Sequence, residues 1–130
     1  MMSVMKAGAA ALLVAATVAQ AWAADPSVEN GAEVFKKCRA CHDVGPDAKN
    51  KLGPILNGLF GRKAGTIPGF AYSDANQKAG EAGWVWSEET MTRYLENPRE
   101  AMPGNKMAFA GLRDEQDRRD LIAYLKTFSR

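Results

Sequence analysis

Apolar positions recur at helical spacing in three stretches of this chain. From Val28, the positions Ala32, Phe35 and Cys38 fall on one face with Ser27 before them as an N-cap, so the spacing predicts a helix running into the cysteines. A second helix is predicted from Ser87. Glu88 and Glu89 suit the positive end of its dipole, Met91, Tyr94 and Leu95 share one side, and Asn97-Pro98 ends it, because the residue before proline avoids helical geometry. The third starts near Asp114 and aligns Leu121, Tyr124, Leu125 and Phe128, with Lys126 in its last turn. Between Gly53 and Gly83 no such pattern exists. Glycine recurs there at 53, 58, 61, 65, 69, 80 and 83, with Pro54 and Pro68 adding rigid turns, so little regular structure is expected. An irregular region this long is unusual in a compact domain unless it wraps something other than polypeptide.

The first residues carry one charge, Lys6, followed by an Ala, Leu and Val run from Ala7 to Ala21 that is shorter than the ~20 residues a membrane span needs. Ala21-Trp22-Ala23 is a small-x-small site, so residues 1–23 read as a signal peptide cleaved after Ala23, or one residue later, and 24–130 as one domain. The protein is expected in the periplasm. The whole chain has 17 basic and 15 acidic side chains. Loss of Lys6 brings the balance closer still to neutral, without the basic excess of a nucleic-acid-binding domain.

Cys38-Arg39-Ala40-Cys41-His42 carries the chemistry. Two thiols three positions apart on a helical turn can add to the two vinyl groups along one porphyrin edge, and the adjacent histidine reaches the iron. A redox dithiol would follow a strand in a βαβ pattern, and none is visible. Structural zinc would need more ligands than the two cysteines and one histidine of this chain. A disulfide between adjacent turns would close too short a loop to stabilise much. The residues therefore indicate one covalent haem c, attached at Cys38 and Cys41, with His42 as an axial ligand. With no second histidine, the other face of the iron falls to Met91, Met102 or Met107. Met91 lies on the apolar face of the second helix, and spacing leaves the other two open.

Several further strings lie in order along the chain: Leu52-Gly53-Pro54, Gly58-Leu59-Phe60-Gly61-Arg62, Pro68 to Asn76, Trp86 leading into Glu88-Glu89-Thr90, Tyr94 to Pro98, and Pro103-Gly104-Asn105-Lys106-Met107. With the haem motif they make the chain from Val28 to Phe128 resemble class I cytochrome c, both the mitochondrial protein and the soluble bacterial cytochromes of the c-two type. The resemblance implies a small all-α class I cytochrome c fold, with three main helices plus short helices and loops around one covalent haem. It implies Met107 as the sixth ligand and Met102 as a loop residue. It further implies the Pro54 carbonyl as acceptor from the His42 ring, Arg62, Tyr72 and Trp86 beside a haem propionate, and the Tyr94 hydroxyl near the methionine sulfur. Asn105 stands where the family commonly has threonine, and the segment from Tyr72 to Trp86 is enlarged.

Two axial protein ligands leave the iron no open position, so the resemblance implies a monomeric one-electron carrier, not an enzyme. Its implied donor is a quinol-cytochrome c reductase complex. The implied acceptor is a cytochrome c oxidase, a photosynthetic reaction centre or a periplasmic reductase, met by transient docking at the membrane. Lys37, Lys49, Lys51, Arg99 and Lys106 match family positions around the haem edge and would steer that docking. The competing class is a peroxidase or gas sensor whose methionine leaves the iron.

Overall fold

The computed structural model describes residues 13–17 and 22–129. Most of the expected signal sequence, residues 1–12 and 18–21, lies outside the described residues, as does Arg130. Five helices follow one another: α1 (Val28–Phe35), α2 (Asp74–Glu81), α3 (Glu88–Glu96), α4 (Pro98–Ala101) and α5 (Glu115–Lys126). Among the described residues no helix is long and apolar enough to cross a membrane.

The capping residues read from the sequence start the three main helices. Ser27, Ser87 and Asp114 each accept a hydrogen bond from the backbone N–H three residues on, and Ser87 and Thr90 bond each other's backbone reciprocally. α1 ends sooner than expected. It stops at Phe35, and the cysteine motif continues as tight turns, with Cys38 N–H donating to Phe35 O at 2.8 Å and His42 N–H to Cys38 O at 2.8 Å. Its buried face is Gly31, Val34 and Phe35, with Ala32 only partly covered. The reason is α5, which crosses α1 so closely that a Cβ on Gly31 would overlap the Asp120 carbonyl and stand 2.7 Å from Tyr124 Cβ.

The glycine-rich region holds more structure than its composition suggested. Ser73 caps α2, accepting from Asn76 N–H at 3.1 Å, and this helix occupies the enlarged segment between Tyr72 and Trp86. Gly80 lies inside it, against the Ala64 carbonyl, where any Cβ would overlap. Here glycine permits a close approach where the sequence pattern suggested a break. The chain then returns alongside residues 61–64. Ala64 N–H donates to Trp84 O and Trp86 N–H to Arg62 O, both at 2.9 Å, around an isolated Lys63–Val85 bridge. The short α4, in a stretch read as loop, begins at Pro98 under the Asn97 cap.

Phe35, Leu121 and Leu125 are the heart of the core, each 1% exposed. α3 joins through Leu112 N–H donating to Leu95 O at 2.7 Å and a Lys126–Glu88 ion pair. Asp120, 2% exposed, is a carboxylate in this interior. It accepts from Ser27 N–H (2.8 Å), Asn30 Nδ2 (2.6 Å) and Gln116 Nε2 (2.9 Å), tying α5 to the start of α1. Burial opposes its charge, but these donors and Arg119 outweigh it and hold the carboxyl below its usual range. Its contribution is therefore complete above the unfolded value near about 4 and is lost as pH falls through the lower folded value. Asp120→Ala should cost the haem-loaded protein about 1–3 kcal/mol in urea unfolding at neutral pH. The difference from wild type should shrink as the solution is acidified; a gap independent of pH would contradict this role.

Candidate haem site

The turn after α1 presents both thiols and the imidazole. His42 Nδ1 lies 2.7 Å from Pro54 O. A carbonyl can only accept, so the proton sits on Nδ1 and the lone pair on Nε2. Burial lowers the histidine's pKa, and the Pro54 bond only partly offsets it, so the ring is neutral, the form that binds a metal. Gly53 backs the ring: a Cβ there would stand 2.8 Å from both ring nitrogens. Its N–H donates to Cys41 O at 2.8 Å, closing the loop beneath the histidine.

Cys38 and Cys41 are half-buried and are not joined in a disulfide. Burial pushes the Cys38 thiol up to about 11, the reverse of an activated redox cysteine. Among the described residues no three His, Cys, Asp or Glu side chains gather as a metal cluster.

The methionines separate clearly. Met91 and Met102 are core residues, 5% and 4% exposed, so Met102 is the buried end of α4 and not a free loop side chain. Met107 is half-buried, and its sulfur lies 4.0 Å from the Tyr94 hydroxyl, at the long end for an O–H···S contact. Burial raises Tyr94 to about 12, so its hydroxyl keeps its proton at any ordinary pH. The Tyr94 ring meets Trp86 edge-on at 5.1 Å.

Arg62, Tyr72 and Asn105 all make protein contacts. Arg62 donates to Asn57 O at 2.9 Å and Ile55 O at 3.4 Å, while the Tyr72 hydroxyl accepts from Ile67 N–H at 3.1 Å. Asn105 bonds only backbone groups of its own loop and α4. Three of the five edge cations are also engaged. Lys51 donates to Arg39 O at 2.6 Å, Lys106 to Ala71 O, and Lys37 lies 3.8 Å from Asp117, whereas Lys49 and Arg99 are exposed. A cleft of about 710 Å³ lined by Arg93, Glu96, Asn97, Glu100 and Arg113 contains none of these groups and mixes both charges.

A family model described as cytochrome c matches residues 28–129. The chain belongs to the cytochrome c family. It is 54% identical over 117 residues to cytochrome c2 of Blastochloris viridis, covering 90% of this chain and 88% of that one. It is 57% identical over 99 residues to cytochrome c-550 of Ancylobacter novellus, covering 76% and 92%. The solved structure of cytochrome c2 from Rhodospirillum centenum superposes with a TM-score of 0.75 at 48% identity, covering 80% of this chain and 99% of that one. This is a class I cytochrome of the c2 type, all-α in fold, an electron carrier with one covalently attached haem c.

The residues of this cytochrome fit that group. The thiols, a neutral imidazole with Nε2 free and a half-buried thioether suit it in donor chemistry. Sequence reasoning missed the packing role of Gly53. Its one signal was the position beside Pro54 in a string quoted for resemblance alone. Gly53→Ala should displace the imidazole and break the Nδ1 bond to Pro54 O. The haem-loaded variant should lose the Nδ1–H signal's protection from solvent exchange in the proton NMR spectrum; unchanged protection would show that the ring tolerates the methyl group.

Proposed function

We propose that this cytochrome is an exported, periplasmic one-electron carrier, with haem attached through Cys38 and Cys41 and its iron held between His42 and Met107. The observation that carries this reading is the presentation of the two ligand atoms. His42 is fixed in one tautomer by Pro54 O, and Met107, unlike the buried Met91 and Met102, is only half-buried at the edge of the core, with its sulfur 4.0 Å from the Tyr94 hydroxyl. Once attached, haem supplies an iron that exchanges single electrons between its ferric and ferrous states.

The chain's part is binding, orientation and exclusion of water. The Pro54 bond leaves Nε2 as the ring atom that would hold the iron and raises the ring's basicity as a ligand. Tyr94 donates toward a thioether lone pair and so moderates the electron density that sulfur offers the metal. Arg62, Tyr72 and Trp86 suit the neighbourhood of a propionate, whose buried charge requires donors. His42 and Met107 would together hold the iron and leave no position on it for a substrate.

Ala21-Trp22-Ala23 supports removal of a signal sequence at that point. Electron exchange then requires brief docking with a quinol-oxidising complex as donor and an oxidase, photosynthetic reaction centre or periplasmic reductase as acceptor, through a small interface. The carbonyls that Lys51 and Lys106 bond carry no formal charge to offset theirs, so with Lys37, Lys49 and Arg99 they still contribute to a steering field.

Met107→Ala should leave the iron able to bind carbon monoxide in the ferrous state, with loss of the ferric methionine-to-iron charge-transfer band. Retention of the band in that variant and its loss in Met102→Ala would overturn the assignment, and a high-spin ferric wild type would favour a peroxidase or gas sensor. Reduction of a partner complex should slow as salt is raised from about 10 to 150 mM, which shortens the reach of surface charge roughly fourfold. Salt-independent rates would exclude steering.

A further inference from the structure

Met107 lies in a segment with no regular structure of its own, between the end of α4 and α5. One side chain ties it to α4. Asn105 Nδ2 donates to Pro98 O and to Met102 O, each at 2.9 Å, and Asn105 Oδ1 accepts from Met107 N–H at 2.9 Å. The first two acceptors are the first residue of α4 and its C-cap, and both residues are buried. A single amide thus links the two ends of a fixed helix to the backbone of the thioether residue. Gly104, at φ +86°, makes the turn that brings Asn105 back over α4.

We propose that Asn105 is a positioning residue that clamps Met107 on the iron and sets how readily that ligand leaves; this rests on the His42/Met107 reading. The chemistry is specific to a short amide. It gives two protons and accepts one bond at the same time, whereas aspartate has the same shape and acceptor but no proton to give, and threonine has one. The Lys106 ammonium on Ala71 O is a second tie, to the segment before α2, and does not touch α4. Loss of the two amide donor bonds would leave the 105–107 segment on α4 by the Asn105 backbone N–H alone, which donates to Met102 O at 3.2 Å, while leaving the core intact.

The test uses the haem-loaded ferric protein as wild type and as Asn105→Asp, Asn105→Ala and Asn105→Thr. Two observables are read: the rate of imidazole binding at saturating imidazole, where departure of the methionine limits it, and the temperature at which the charge-transfer band disappears, set against helix unfolding by circular dichroism. Loss of two donor bonds should accelerate imidazole binding on the order of 30-fold in Asn105→Asp. Asn105→Ala should be at least as fast and Asn105→Thr intermediate. In the Asp and Ala variants the band should vanish well below the temperature of helix unfolding. A rate in Asn105→Asp within about twofold of wild type would overturn the clamp, since the donor bonds would then contribute nothing to ligand retention. So would band and helix melting together, which would mean that Asn105 serves the fold alone. Met107→Ala separates the two readings: persistence of the band there would refute the ligation itself, whatever the Asn105 variants do.

Discussion

The structure depends on the crossing of α1 over α5 at Gly31. Only an absent side chain lets the Asp120 carbonyl and Tyr124 Cβ come so close, and the approach is reinforced by the buried Asp120 carboxylate on Ser27 and Asn30. Three residues beyond Phe35, which is 1% exposed and packed on the Tyr124 ring at 5.5 Å, the chain reaches Cys38. The Cys38-to-His42 turn is therefore placed by the most extensive helix–helix contact among the described residues. α3 is then set against α5 through Leu95 and the Glu88–Lys126 pair, and α3 brings Tyr94 to the methionine side.

The two proposed ligands are held by different means. His42 directly follows Cys41 in the chain and is fixed by backbone: a carbonyl on one nitrogen and a glycine against the ring. Met107 follows a long connection and is fixed by side chains, with Asn105 reaching α4, Lys106 reaching Ala71 and Tyr94 touching the sulfur. Side-chain ties are individually weak and can be changed one at a time. On the proposed ligation, the histidine side is the permanent half of the site and the methionine side the adjustable one.

Much of this was legible in the sequence because it is local. Ser27, Ser87 and Asp114 cap the helices they were expected to cap, Pro98 ends α3, and the cysteines and histidine sit together because they are neighbours in the chain. What sequence left hidden depends on approach between distant segments. α2 was hidden because Gly80 resembles a break until the Ala64 carbonyl is seen against it. The apolar periodicity of α1 continues to Cys38, but its hydrogen bonds tighten from four-residue to three-residue spacing at Lys36, Lys37 and Cys38. Met102 could not be told from Met107 by spacing, since only packing buries the first and leaves the second accessible. The duties of Arg62 and Lys51 toward backbone carbonyls are likewise invisible without the folded loops.

The central claim is a closed iron site with one imidazole and one thioether from this chain. X-ray absorption at the iron edge of the ferric, haem-loaded protein tests it most directly. The account predicts six-coordinate low-spin iron with a single sulfur neighbour in both oxidation states; five-coordinate iron, or six-coordinate iron without sulfur, would contradict it.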